Sequence, residues 1–183
     1  MDPITLIDEV WRRKEWAMSL PGSAGSYALG PDEGEALWFN GGLGLLKATT
    51  ELTDGRFAAM QLRAPKGFAS PLHIHRNEDE FFVVLSGEVR LQHGDTVIEA
   101  VAGSLVYGPR DVPHAFRVDS DEALLLLIFG PSGVEGFFRE GGKPAGSLML
   151  PPADEQFVDK EMLKEIGGRF RQEFVGPPLP PKD

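Results

Sequence analysis

An all-β fold, a sandwich or barrel of short strands, is predicted by three features of this sequence. Short apolar runs recur at roughly 8–12-residue spacing. Clusters of turn residues separate them. Glycine, at 22, and proline, at 15, both exceed their usual share, as a turn-rich β protein requires.

The elements follow in order. Residues 3–20 predict a short N-terminal helix. There Ile4, Leu6, Ile7, Val10, Trp11 and Trp16 mix with charges, and Pro21-Gly22 ends the segment. Residues 22–35 are Gly-rich and polar and predict a loop. From residue 36 the period changes to two. Strands are predicted over 36–39, 43–49, 56–64, 73–74, 81–85, 89–92, 96–100, 104–107, 115–118 and 123–129. Asn40-Gly41-Gly42, Asp54-Gly55, Ser86-Gly87, His93-Gly94-Asp95 and Ala102-Gly103 supply turns between them. A helix returns near the C-terminus, with Asp154 as its cap and Gly167-Gly168 as its stop. Val158, Met162 and Ile166 share one face of it, with Leu163 beside them. The proline-rich tail from Gly176 predicts an extended segment along the surface. The division is therefore 1–35 (helix and loop), 36–150 (barrel) and 151–183 (helix and tail).

Composition narrows the function. At 183 residues, 42% hydrophobic and 25% charged, the chain has the make-up of one ordinary globular domain. A net charge of −10 argues against nucleic acid or an anionic membrane as partner. The longest apolar run, 123–129, is too short to cross a bilayer. The N-terminus mixes acids and bases without an apolar leader, which predicts a cytoplasmic protein. Cysteine is absent. Disulfides, zinc–thiolate sites, Fe–S clusters and thiol nucleophiles are thereby excluded. A metal here must be held by imidazole, carboxylate or water.

Three of the four histidines fit one constellation. In His73-Ile74-His75 the two imidazoles face the same side of a strand. Glu80 opens the next apolar run, and a carboxylate there turns inward to join them. His114 follows the turn at 109–113 and closes the set. Three nitrogens and one oxygen suit a divalent first-row metal with open positions for water, substrate or dioxygen. Glu78 shares the parity of Glu80 but falls in the turn, so it and Asp79 are expected to be solvated loop acids. His93 sits in a hairpin tip and is expected to be exposed and structural.

The stretch from Gly67 to Gly87, with His73, His75 and Glu80 at fixed spacings, resembles the first cupin motif. Gly103, Pro109 and His114 match the second, although Asp111 replaces its usual glycine and Val118 its usual asparagine. The resemblance implies a double-stranded β-helix (cupin or jelly-roll) barrel with short N-terminal and C-terminal helices. A broader pattern over roughly 27–180 resembles single-domain bacterial cupins of the quercetin 2,3-dioxygenase type. It includes Leu37 to Gly42, the acidic turn before Phe81-Phe82, the stretch from Gly130 to Arg139, and Val175 to Leu179. That likeness implies one divalent transition metal (iron, nickel, cobalt or manganese, with zinc also able to fit). Its ligands would be His73, His75, Glu80 and His114, and Glu80 would be the catalytic base. The likeness also implies a homodimer.

Parity from the ligands turns Phe82, Val84 and Phe116 inward. On the preceding strand either Met60 and Leu62 or Ala59 and Gln61 face the interior. Met60, Leu62, Phe82, Val84 and Phe116 form the expected substrate pocket, an apolar wall suited to a flat aromatic molecule. Trp38, Phe39 and Tyr107 are candidates for a mouth or an interface. Three functions compete. The first is a dioxygenase acting on an enolised or phenolic aromatic, in which Glu80 takes a proton and burial raises its pKa. The second is a non-redox isomerase, cyclase or lyase with the same ligands. The third is a binding protein without turnover.

Overall fold

The computed structural model describes residues 26–182, so the helix expected over 3–20 lies outside the described residues. Twelve strands and three short helices make up the rest. The strands are β1 (Glu35–Phe39), β2 (Gly42–Ala48), β3 (Ala58–Pro65), β4 (Leu72–His75), β5 (Asp79–Ser86) and β6 (Glu88–His93). They continue as β7 (Thr96–Val101), β8 (Leu105–Gly108), β9 (His114–Val118), β10 (Glu122–Gly130), β11 (Lys143–Pro144) and β12 (Gln172–Gly176). The helices are α1 (Thr50–Thr53), α2 (Glu135–Gly141) and α3 (Lys160–Arg169). One seven-stranded sheet runs β11-β1-β2-β3-β10-β5-β8, and one five-stranded sheet runs β12-β4-β9-β6-β7. Every pairing is antiparallel. The two layers form the jelly-roll that the sequence predicts.

Alternation explains the layers. Along β10, Ala123, Leu125, Leu127 and Phe129 are buried while Leu124, Leu126 and Ile128 lie on the outer face. Along β5, Glu80, Phe82 and Val84 point inward. Phe82, Val84, Val89, Leu91, Leu125 and Phe129 fill the space between the sheets. Each such side chain contributes about 1.5–3 kcal/mol through burial. Gly87 makes the turn from β5 to β6 at φ +85°, and a Cβ there would lie 2.5 Å from the Glu122 carbonyl oxygen. Only glycine fits that combination.

The C-terminal third departs from expectation. The helix begins at Lys160, not after Asp154, because Asp159 is the residue whose side chain accepts from the Met162 amide. It also runs through Gly167 and Gly168 instead of stopping there. On the face expected to pack, Ile166 is buried, whereas Met162 and Val158 are exposed. The chain then returns as β12 and pairs with β4, which adds a strand to the five-stranded sheet. Beyond it the extended tail follows the surface. Arg90, in a bidentate ion pair with Asp119, also donates to the Pro180 carbonyl, and Leu179 is buried beneath the tail.

Candidate metal centre

His73 and His75 come from β4, Glu80 from β5 and His114 from β9, and all four are buried. Cross-strand pairing places His73 opposite His114. One ligand atom from each of the four lies within 4.8 Å of the others. Backbone carbonyls orient two of the rings. His73 Nδ1 donates to the Pro71 carbonyl at 2.8 Å, and His114 Nδ1 donates to the Val112 carbonyl at 2.9 Å. A carbonyl only accepts, so each Nδ1 carries the proton and each Nε2 is left as the free donor atom. Glu80 Oε2 lies 3.0 Å from His114 Nε2 and 3.4 Å from His75 Nε2. The three nitrogens and one oxygen thus converge on one point, and this buried group fits a divalent metal.

The electrostatics are uneven. Burial, with help from the neighbouring His114 and His75, lowers the pKa of His73 to about 3, so its imidazole is neutral. For His75, burial works in the same direction, but the carboxylates of Glu78 and Glu80 outweigh it and raise the ring to about 9. For Glu80 the expectation of a raised pKa is overturned. Burial does push it up, yet the imidazoles of His114 and His75 outweigh burial and bring it to about 2.

The turns around the site explain its fixity. Asp111 stands at φ +65°, in the left-handed region that the usual glycine would occupy, and aspartate tolerates it better than most residues do. Its amide donates to the His75 carbonyl, and its carboxylate accepts from Arg76. Arg76 also grips Glu173 of β12 through two hydrogen bonds. The departure from the motif glycine therefore keeps the turn and adds a clasp.

Two residues lie where the sequence did not put them. Glu78 is not a solvated loop acid: it is 1% exposed, and its Oε1 lies 3.3 Å from His75 Nδ1. His93 is not an exposed hairpin tip: it is half-buried, pairs across the sheet with His114 and stands edge-on to it at 5.6 Å. Parity was the available signal. Glu78 has the parity of Glu80, and His93 that of Val89 and Leu91, both in the core. Asp79, as an outward-facing residue, pairs with Arg110.

A cavity of about 60 Å³ opens beside the metal group. Met60, Leu62 and Phe116 line it, which resolves the parity of β3 in favour of Met60 and Leu62. Phe82 and Val84 are not on its wall. They lie in the core, and Phe82 packs edge-on against His114. Aromatic rings missed by the sequence reading dominate the wall instead: Phe68, Phe129, Phe137, Phe138 and Phe174. Phe39, expected at a mouth or an interface, also lines it. Leu163 of α3 and Gln172 of β12 cover one side.

This fold is a jelly-roll barrel that carries its histidine and carboxylate donors on three inner strands. The family described as "Cupin domain" matches residues 60–130. More particularly, the chain is 29% identical over 147 residues to quercetin 2,3-dioxygenase of Bacillus subtilis (strain 168). That match covers 80% of this chain and 44% of the relative. A second relative, an uncharacterized protein of Streptomyces coelicolor, is 33% identical over 54 residues, covering 30% of this chain and 51% of that one. The chain thus spans about half the length of the two relatives it matches. Among solved structures, KdgF from Halomonas sp. has a TM-score of 0.53 at 16% identity, covering 61% of this chain and 98% of that one. Oxalate decarboxylase from Bacillus subtilis, in a single-substitution form, has a TM-score of 0.52 at 21% identity, covering 61% of this chain and 31% of that one. These two likenesses establish the fold alone. Among the described residues no helix is long and apolar enough to cross a membrane.

Proposed function

We propose that the protein is a metal-dependent dioxygenase of the quercetinase type, cleaving an aromatic or enolisable small molecule with dioxygen. The observation that carries this reading is a buried His73–His75–Glu80–His114 group facing a wall made almost wholly of apolar side chains. Similarity to a quercetin 2,3-dioxygenase over most of the chain supports it. A divalent iron, nickel, cobalt or manganese ion held by these four residues would supply acidity toward a substrate oxygen and reactivity toward dioxygen. The chain's own residues do the rest. Phe39, Phe116, Phe129 and Phe174 bind a flat ring and exclude water from it. Glu80 is the base. Its Oε2 faces the Nε2 atoms of His75 and His114 and would hold the ion with them, which leaves Oε1 to take a hydroxyl proton.

One observation favours a second reading. Sites for drug-sized ligands run at about 300–1,000 Å³, against about 60 Å³ here. A non-redox isomerase, cyclase or lyase acting on a substrate of a few heavy atoms fits that volume without rearrangement. A flavonol is larger than that volume and requires the wall to rearrange. Oxygen uptake decides between them. Protein reconstituted with each metal is offered flavonols and smaller enolisable acids in an oxygen electrode. Substrate loss matched by oxygen loss supports the dioxygenase. Substrate loss under nitrogen with zinc supports the second reading, and recovery of every substrate unchanged leaves a binding protein.

The homodimer belongs to the same proposal. Leu85, Leu105 and Tyr107 are exposed on the outer face of β5 and β8, at 45%, 63% and 47%. Sedimentation of the purified chain tests it.

A further inference from the structure

The three imidazoles of the metal group are held by different means. His73 and His114 each give their Nδ1 proton to a neutral backbone carbonyl. His75 has no such carbonyl. Its Nδ1 faces the carboxylate of Glu78, 3.3 Å from Oε1, and the side-chain amide nitrogen of Gln172, 3.4 Å away. Glu78 is 1% exposed, and neither of its oxygens has a hydrogen-bond partner. A buried carboxyl without a partner is costly to the fold. The atom that Glu78 does face is the far nitrogen of an imidazole whose near nitrogen, Nε2, looks into the metal group at 3.4 Å from Glu80.

We propose that Glu78 is a positioning residue for the metal centre, accepting the Nδ1 proton of His75 and presenting His75 Nε2 to the ion. The inference rests on the reading of the four-residue group as a metal site. A carboxylate behind a ligating imidazole fixes its tautomer and ring angle and makes it a stronger donor than a carbonyl does. Charge points the same way: Glu80 in front of His75 and Glu78 behind it together balance the two charges of a divalent ion, so the loaded site buries no net charge. Gln172 packs against the same nitrogen from β12. Glu78 does not line the cavity. It acts through His75 alone.

The test is a titration of metal-free protein with cobalt(II) alone, read by calorimetry and by visible absorption, on wild type, Glu78→Gln, Glu78→Leu and His75→Ala. The expected result is one cobalt per chain in wild type and in both Glu78 variants. Affinity falls about 10–100-fold in Glu78→Leu, and by less in Glu78→Gln, whose amide oxygen still accepts but carries no charge. The absorption envelope keeps its coordination number while its bands shift. A merely structural Glu78 gives a different result: unaltered cobalt affinity and an unaltered spectrum, and that outcome overturns the proposal. If Glu78→Leu does not fold, Glu78→Gln decides alone, and wild-type affinity in it overturns the proposal equally. Wild type that takes up no cobalt overturns the metal reading and this inference with it. Wild type that binds cobalt and loses it on His75→Ala upholds the metal reading, so the Glu78 variants then judge the inference separately.

Discussion

His73 and His114 are direct partners across the β4–β9 pair, with ring centroids 4.5 Å apart. The same row continues to His93, which stands opposite His114 on β6. The separation of the donors is therefore set by sheet register, and no loop has to order before an ion is held. A register slip by one residue would turn these rings to the other face.

Removing His73 and His75 together should abolish metal uptake while leaving the sheets intact. Elemental analysis is expected to find near one transition metal per wild-type chain and a trace in the His73→Ala, His75→Ala variant. An unchanged metal content in that variant would place the ion elsewhere.

Glu80→Gln keeps the volume and the three imidazoles but removes the charge and the base. Oxygen uptake with any substrate turned over by wild type should fall by about 10²–10⁴-fold. Retained turnover would assign the proton transfer to another group.

Phe82 lies under the metal group, 1% exposed, packed against Phe116 and His114. Phe82→Ala should cost about 3–5 kcal/mol of stability through the cavity it leaves. Urea unfolding of metal-free protein checks this, with a lower midpoint at unchanged slope as the expected outcome.

Arg90 holds the Asp119 carboxyl below its ordinary value of 3.8, by hydrogen bonding against the opposing effect of burial. A depressed carboxylate contributes stability that is present above 3.8 and is lost as pH falls through the folded value. Asp119→Asn should therefore be less stable than wild type at neutral pH, by about 1.5–3 kcal/mol for hydrogen bonds to a charged group. The gap should close on acidification below pH 3.8. A gap that stays constant through that acid range would show that the charge plays no part.

The barrel strands were legible because alternation is a local signal, and each predicted run lies within or beside an observed strand. His73 and His75 were legible for the same reason, being two apart in one strand, and Glu80 because it opens the next apolar run. What escaped was set by distant partners. Gly167 reads as a helix stop, yet a Cβ there would meet Phe174 at 3.1 Å, so the glycine serves close packing of α3 on β12 and the helix runs on. β12 has a weak apolar pattern of its own and is a strand because β4 offers it an edge. Glu78 and His93 were judged by the polar turns they sit in, whereas their burial comes from strands packed over them. The direction of the Glu80 shift was missed because burial alone was weighed, without the imidazoles that outweigh it.

The donors are divided between the layers: Glu80 belongs to the seven-stranded sheet, and the three histidines to the five-stranded one. An ion held by all four is a rivet through the sandwich. In a chain with no cysteine it is a cross-link of a kind that disulfides supply elsewhere, but one that a chelator can draw out. Loss of the ion then loosens the whole barrel as well as silencing a site, and the amides of β4, β5 and β9 should exchange their hydrogens faster once it is gone.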